Sequence, residues 1–358
     1  MKKSDKRIES IDILRGLDLF FLLFLQPVFL SFAKHFDVGW INSIVYQFDH
    51  EVWEGFRCWD LVMPLFLFLV GASMPFSFAK FRNSPHKGRL YFKIGRRVVI
   101  LFVLGMIVQG NLLGFSWQHL FIYNNTLQAI AAGYLIASLI ILNCGIRGWV
   151  ICTFLLMIIY SLPMAVYGVY RPNDSFAFHV DRIIIGRFRG DLTYTWIWSS
   201  LTFGATVMFG AISGYIVKLY HNANRVKTVW WLGISGIVLM LAGLVAGEFE
   251  PIIKRIWTSS MTLFSAGICM ILLGLMYWWI DVLGFSKGLK WLKIYGTNAI
   301  TAYCIGEVIN FRSVVNSITY GLETVIPEWY PFILTLGNFS ILFLILYILY
   351  KSKIMIKI

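Results

Sequence analysis

A histidine and a nearby aspartate carry the clearest chemical signal in this sequence. His50 lies between Asp49 and Glu51, and Asp60 follows ten residues later at the start of an apolar run. A histidine can take a proton from an amine near neutral pH or carry an acyl group on a ring nitrogen, and a carboxylate beside it fixes its tautomer. A continuous helix would hold residues 50 and 60 about 15 Å apart, so a functional pair requires a turn, for which Gly55 supplies the break. The alternative is that His50 is a solvated residue of an acidic loop and that Asp60 is the N-cap of the following helix.

Long apolar runs must position this pair. Of the 358 residues, 58% are hydrophobic and 14% are charged, and apolar runs recur at the length of about 20 residues that crosses a bilayer. The sequence therefore predicts an all-α, polytopic transmembrane helical bundle that forms a single domain over residues 1–358. About ten spanning helices are expected, at residues 13–33, 60–79, 97–115, 126–143, 148–168, 196–217, 228–246, 257–279, 294–311 and 331–350.

The net charge of +13 indicates topology. In the ten-helix arrangement, 22 of the 31 Lys and Arg residues lie on the side of the N-terminus, which the positive-inside rule assigns to the cytoplasm. Both termini are then cytoplasmic and His50 lies outside, in a protein expected in a bacterial inner membrane. Attraction for anionic lipid or a polyanionic cytosolic ligand is a second use of this charge, and no nucleic-acid partner is expected. The five cysteines lack paired spacing, so neither a disulfide framework nor a metal site is predicted.

Two motifs stand out in the first quarter of the sequence. The first is Ser10-Ile11-Asp12-Ile13-Leu14-Arg15-Gly16, and the second, longer motif comprises His50, Trp53, Gly55, Asp60-Leu61-Val62, Pro64, Phe66, Phe68 and Gly71. Both resemble motifs of a family of transmembrane acetyltransferases related to the lysosomal heparan-alpha-glucosaminide N-acetyltransferase, and the first resembles the opening of that family. Shorter matches extend the resemblance over nearly all of the family's catalytic membrane domain; they lie at Leu127-Gln128, Val180-Asp181-Arg182, Gly296-Thr297-Asn298-Ala299 and Glu307-Val308.

The resemblance implies an enzyme that carries an acetyl group from cytosolic acetyl-CoA, as co-substrate, to an amine of an extracytoplasmic sugar or glycan, classically a terminal glucosamine. It places His50 at the family's catalytic histidine and Asp60 at the aspartate of the same active site. Two positions depart from the family. Gln26 stands where the family commonly has Asn, and Thr193-Tyr194-Thr195-Trp196 stands where it commonly has Asp-Pro-Glu-Gly. Acetyl transfer is compatible with both changes, whereas a heparan-type acceptor is put in doubt.

Other polar residues are candidates for binding. Arg15, Arg96 and Arg97 could meet the phosphates of CoA, since guanidinium binds phosphate bidentately, although Asp12 and Arg15 also have the spacing of a helical ion pair. Asn298 and Glu307, with Gln26, are candidates for lining the active-site cavity, and helix–helix hydrogen bonding is their alternative role. A charged cluster in a predicted outer loop, His179, Asp181 and Arg182, would either bind the acceptor or be solvated.

A second class of function stays open. Ten helices with intramembrane acids also fit a transporter or translocator of a sugar or lipid-linked sugar. In that protein His50, Asp60 and Glu307 would be proton or substrate sites. A transporter is expected to have Gly- or Pro-interrupted helices in matched halves, and the second helix, with Pro64 and Gly71, has no clear counterpart. The expected partners are the lipid bilayer and a small-molecule or glycan amine acceptor, and a homo-oligomer is left open.

Overall fold

The computed structural model describes residues 8–78, 87–110, 120–190 and 193–356. Within these ranges the chain is built from helices and turns, and the predicted all-α, polytopic fold is confirmed. The α-helices are, in chain order, α1 Glu9–Phe20, α2 Gln26–Ala33, α3 Gly39–Gln47, α4 Val62–Phe78, α5 Lys87–Val108, α6 Thr126–Asn143, α7 Ile146–Tyr167, α8 Phe176–Ile184, α9 Ser200–Tyr220, α10 Arg225–Gly247, α11 Ser259–Tyr277, α12 Leu292–Thr297, α13 Ala299–Val308, α14 Arg312–Thr319, α15 Leu322–Val325 and α16 Tyr330–Lys351.

Eight helical segments among the described residues are long and apolar enough to cross a membrane. They are Glu9–Ala33, Cys58–Phe78, Thr126–Asn143, Ile146–Tyr167, Ser200–Tyr220, Arg225–Gly247, Ser259–Val282 and Tyr330–Lys351. The first comprises α1 and α2, joined by a π-helical turn at Phe21–Leu25. Each of the eight corresponds to a predicted span.

The other two predicted spans differ from the structure in their bounds and continuity. The span expected at 97–115 is α5, which begins ten residues earlier because the basic stretch from Lys87 to Arg97 is helical; residues 111–115 lie outside the described part. The span expected at 294–311 is broken at Asn298, whose backbone (φ −118°, ψ 46°) is not helical. The prediction of one continuous ninth helix is therefore wrong, and the short helices α12 and α13 take its place.

The chain forms two compact units. Among the described residues, unit 1 comprises 8–50, 57–62 and 283–356, and unit 2 comprises 51–56, 63–78, 87–110, 120–190 and 193–282. The single domain over residues 1–358 stays a prediction.

Unit 1 is organised around a close packing of α1 on α12. A side chain at Gly16 would overlap the carbonyl oxygen of Leu292, and one at Gly296 would overlap that of Asp12, so only glycine permits this approach. Glu9 and Lys293 form an ion pair at the same end. At the other end, the His35 ring stacks on Trp329 with 4.1 Å between ring centroids. The α1–α2 span and α16 are thus antiparallel.

Unit 2 has α9 at its centre, with most of its side chains buried. Gly210 and Gly214 of α9 bring it against the backbone of Phe68 and Ala72 in α4, where a Cβ atom would collide with carbonyl oxygens. Small residues at helix interfaces are the usual means of close packing in a membrane, because lipid leaves no hydrophobic driving force between helices.

Candidate active site

The structure joins His50 and Asp60 in unit 1. His50 Nδ1 lies 2.8 Å from Asp60 Oδ1. The Asp60 side chain is fully buried, whereas 39% of the His50 side chain is exposed. A carboxylate accepts hydrogen bonds, so Nδ1 carries the proton and Nε2 carries the ring lone pair when the imidazole is neutral. The pair therefore has the arrangement in which a buried acid orients a histidine at an accessible surface.

The turn that this pair requires is present. α3 ends at Gln47, and the next regular structure is a 3₁₀ turn at Cys58–Leu61 that leads into α4. Between them, Gly55 has φ +124°, a backbone conformation that favours glycine. In unit 2, the Gly55 N–H donates to the carbonyl of Ile252 at 2.9 Å. The predicted break at Gly55 is confirmed.

Asp60 also caps the helix that follows, but not as its N-cap residue. Its Oδ2 accepts the backbone N–H of Arg57 at 3.0 Å, and Arg57 occupies the N-cap position. Asp60 is the third residue of the first turn and reaches back in the manner of a capping box. The prediction of Asp60 as N-cap is wrong in its position. One oxygen of the buried carboxylate therefore accepts a backbone N–H at the start of the helix, and the other oxygen accepts the hydrogen bond of the histidine.

Arg57 is a residue that the sequence analysis missed. It is 8% exposed, and its guanidinium lies 3.8 Å from the ring centroid of Tyr46. Its Nη1 lies 3.9 Å from Asp49 Oδ2, a carboxylate that is largely exposed. A lone arginine immediately before an apolar run was the available signal, because such a charge needs a partner when buried.

Gln26 is the predicted cavity residue that the structure brings to the pair. Its Nε2 donates to the carbonyl of Phe48 at 2.8 Å, two residues before His50. Gln47 Oε1 similarly accepts the N–H of Cys58 at 3.1 Å, two residues before Asp60. Gln26 follows the π-helical turn at Phe21–Leu25, and such turns occur frequently at functional sites. Two glutamine side chains thus hold both ends of the site segment.

Asn298 lies at the opposite end of unit 1. Its amide donates to the carbonyl of Ile354 and accepts the N–H of Ile356, each at 3.0 Å. This end also holds Glu9 and Lys293, and the 17 residues from Glu9 to Gln26 correspond to roughly 25 Å of helix. The structure therefore does not bring Asn298 to His50, and the side chain anchors the C-terminal segment. Glu307, near the end of α13, is exposed.

The three candidate CoA arginines have different surroundings. Arg15 in unit 1 lies 3.6 Å from Asp12 in the i,i+3 pair expected from their spacing. In unit 2, Arg97 stacks over the Tyr134 ring at 4.6 Å, and its Nε is buried without a hydrogen-bond partner in the described part of the chain. Arg96 is exposed on the same helix.

Asp181 in unit 2 is not a solvated loop residue. It is fully buried, and its oxygens accept the backbone N–H groups of Trp196 and Ile197 at 2.6 and 3.0 Å. Burial raises the pKa of this carboxyl to about 6, against the lowering effect of those hydrogen bonds. Asp181 therefore organises the turn before α9 from within the protein, and the alternative of a solvated cluster is wrong for this residue.

Glu250 is a second buried acid of unit 2 that the sequence analysis did not single out. It is 8% exposed, and Oε2 accepts the hydroxyl of Ser161 at 2.7 Å, while the same hydroxyl lies 2.7 Å from Ser259 Oγ. Burial raises the pKa of Glu250. Its position between two spanning helices, α10 and α11, was the available signal.

The fold and the site together define a polytopic α-helical membrane protein with a buried aspartate and a surface histidine at the start of a spanning helix. The sequence model of the catalytic domain of heparan-alpha-glucosaminide N-acetyltransferase matches residues 7–173, which include His50 and Asp60. The chain is 24% identical over 369 residues to the heparan-alpha-glucosaminide N-acetyltransferase of Homo sapiens, covering 84% of this chain and 53% of the relative. It is 22% identical over 372 residues to the Mus musculus protein of the same name, covering 86% of this chain and 54% of the relative. The resemblance inferred from the sequence is confirmed, and the chain spans about half the length of the curated relatives it matches.

Proposed function

We propose that this protein is a membrane acetyltransferase that moves acetyl from cytosolic acetyl-CoA to an amine of an extracytoplasmic sugar or glycan. The single observation that carries the proposal is the His50–Asp60 hydrogen bond of 2.8 Å, located in the part of the chain that matches the acetyltransferase family model. The transporter alternative gains no comparable support.

His50 serves this reaction in one of two ways. As a general base, Nε2 takes a proton from the acceptor ammonium, and the amine then attacks the thioester carbonyl. As a nucleophile, Nε2 attacks the thioester itself, and the acetyl group resides on the ring until the amine displaces it. In both routes the C–S bond breaks and a C–N bond to the acceptor forms. The acceptor ammonium loses two protons in all, of which one ends on the CoA sulfur, which leaves as the thiol, and the other passes to solvent through Nε2. Asp60 is a positioning residue that holds Nδ1–H and stabilises the imidazolium.

The donor is proposed to bind through basic residues of the cytoplasmic face. Arg96 is exposed and Arg97 has a buried Nε without a partner in the described residues, so both can bind phosphate. Arg15 already pairs with Asp12 and would have to exchange that partner. No metal is needed for this chemistry.

The protein is proposed to reside in a bacterial inner membrane with both termini cytoplasmic and His50 outside. The charge distribution supports this orientation. Within unit 1, the Asn298 bonds to Ile354 and Ile356 place the C-terminal segment at the end where α1 begins, roughly a bilayer thickness from Gln26. The bilayer and an amine acceptor are the proposed partners, and a homo-oligomer is compatible with the proposal.

The test is acetyl transfer by the His50→Ala variant. Membranes are incubated with labelled acetyl-CoA and a panel of aminosugars, and acetylated products are detected by mass spectrometry. We expect a loss of about 10²- to 10⁴-fold or more, because the base or acetyl carrier is removed. His221→Ala is the matched control, since its Nδ1 lies 2.7 Å from the Tyr277 hydroxyl in unit 2 and the residue has no proposed role in the reaction. Near-normal transfer by His50→Ala would overturn the site, and uptake of unmodified sugar by the wild type without acetylation would favour the transporter.

The Asp60→Asn variant tests the positioning role. Its amide oxygen can still accept the Arg57 N–H, so the start of the helix is retained. Its NH₂ group, however, would donate to Nδ1 and move the ring proton to Nε2, which leaves no lone pair toward the substrate. We expect kcat to fall by about 10²- to 10⁴-fold with CoA affinity and the thermal unfolding midpoint nearly unchanged. Asp174→Asn, an exposed carboxylate of unit 2, is the control. If Asp60→Asn lowered the thermal unfolding midpoint enough to unfold the protein under the assay conditions, the loss of activity would be explained by unfolding, and Asp60 would have a structural role only.

A further inference from the structure

Unit 1 has two cavities at the end of α2, and the first of them reaches the residue that precedes His50. The first has a volume of about 550 Å³ and includes Asn42, Val45 and Asp49, the residue that precedes His50, in its lining. The second, of about 490 Å³, includes Arg312, Glu323 and Tyr330. Leu30 and Lys34 of the α2 end line both cavities. Each volume is in the range of small-molecule binding sites.

The second cavity presents two cations. Lys34 and Arg312 line it, and neither forms an ion pair within residues 8–78, 87–110, 120–190 and 193–356. Arg312 is held in place because its Nη2 donates to Thr335 Oγ1 at 3.1 Å. Glu323 is the one acid of the lining, which leaves a net charge of +1 from two cations and one anion. This arrangement fits a ligand with an anionic group and hydrogen-bonding substituents.

Hydrogen bonds hold together the elements from which the second cavity is built. The His35 ring nitrogens lie 3.1 Å from the carbonyl oxygen of Phe32 and 2.6 Å from that of Glu328. The bond to Glu328 raises the pKa of His35, because two carbonyl acceptors favour the doubly protonated ring. Across the cavity, Tyr330 donates to Asn316 Oδ1 at 2.7 Å. These bonds tie α2, α14 and the start of α16 together around the space.

The second cavity lies where a membrane surface is expected. Pro27 and Leu30 come from the end of one spanning segment and Leu334 from the start of another. The short helices α14 and α15 at this end expose large apolar side chains, with Ile318 78%, Val325 72% and Tyr320 68% exposed. Short helices with exposed apolar side chains lie in the bilayer interface, which is the level of lipid phosphate groups.

We propose that the Lys34–Arg312 cavity binds a phosphate group of the acceptor, whose amine extends through the first cavity to His50. This inference rests on the proposed acetyltransferase function and names its substrate class: an amine that carries a phosphate, such as a phosphorylated aminosugar, either lipid-linked or in solution. Asp49 lies at the amine end, where its carboxylate favours an ammonium group, and the two cations lie at the phosphate end. The acceptor is thus oriented by opposite charges at its two ends.

Equilibrium binding without acetyl-CoA tests this proposal independently of catalysis. The purified protein is titrated with glucosamine, glucosamine 6-phosphate and an aminosugar phosphate attached to a lipid in nanodiscs. We expect the wild type to bind glucosamine 6-phosphate about 10- to 100-fold more tightly than glucosamine, since hydrogen bonds to charged groups are worth that factor. In Arg312→Gln and Lys34→Gln this ratio should approach one. Arg171→Gln, an exposed arginine of unit 2, should keep the wild-type ratio.

The outcomes separate the proposal from the function on which it rests. Equal wild-type affinity for the two soluble sugars, or an equal effect of Arg171→Gln and Arg312→Gln, would overturn the phosphate site. A wild-type preference that Arg312→Gln abolishes supports it, even where no acetylation is found, and the acetyltransferase function alone is then in question. Tighter binding of the lipid-attached probe identifies a lipid-linked acceptor, and equal binding identifies a soluble one.

Discussion

At the scale of single residues, two buried aspartates have different hydrogen-bond partners. Asp60 is buried, and its carboxylate accepts a hydrogen bond from the His50 ring. Asp181 is buried among backbone N–H groups, and burial outweighs those bonds in raising its pKa to about 6. Asp60 therefore orients the His50 side chain, whereas Asp181 orients the backbone turn before α9.

The raised pKa of Asp181 predicts a pH dependence of stability. The folded protein binds a proton between about pH 4 and 6 that the unfolded chain does not bind. The stability from this group is thus fully present below about pH 4 and is lost as the pH rises through 6, by about 3 kcal/mol. In Asp181→Asn the slope of the unfolding midpoint against pH should flatten over this window, measured by thermal denaturation in detergent. An unchanged slope, with Asp174→Asn as control, would contradict the assignment.

At the scale of elements, the packing of α1 on α12 depends on glycine. We expect Gly16→Ala to destabilise the protein by about 1–3 kcal/mol, because its Cβ would overlap the Leu292 carbonyl oxygen and force the helices apart. The measurement is the thermal unfolding midpoint. Gly39→Ala is the control, since a Cβ there meets nothing within 4 Å. Equal midpoints for the two variants would show that the helices separate without cost.

The element scale also shows what the sequence could predict. His50, Gly55 and Asp60 were recognisable because their types and spacing fit a turn that closes the pair and because they match a motif of the acetyltransferase family, whereas spacing alone also fitted a solvated histidine and a helix cap. The break at Asn298 was not recognisable, because an amide within an apolar run is equally compatible with a continuous helix whose side chain bonds a neighbour. Its partners, Ile354 and Ile356, are 56 and 58 residues away, and a long-range backbone contact leaves no local pattern. Arg57 carried a local signal, a single charge before an apolar run, but its contact with the Tyr46 ring depends on the turn between α3 and α4 and could not be read from spacing.

At the scale of the whole molecule, the orientation in the membrane is open to a direct measurement. After replacement of the five native cysteines, Glu51→Cys should react with an impermeant maleimide added outside intact cells, because the positive-inside rule puts this loop on the outer face. Ser352→Cys, at the end of α16, should react only after the membrane is opened. Labelling of position 51 from the cytoplasmic side alone would reverse the orientation and the direction of transfer proposed here.

The two bonds of Asp60 have a consequence for how this protein can evolve. One side chain caps a helix and aligns the histidine, so a mutation at position 60 that removes both oxygens is selected against twice, once because it weakens folding and once because it lowers turnover. The side chains of Lys34 and Arg312 are proposed to bind the acceptor only, with no capping role. Lineages that drift to new acceptors should therefore change the cavity residues while position 60 stays invariant, and a library that randomises 34 and 312 is where new specificities should be recovered.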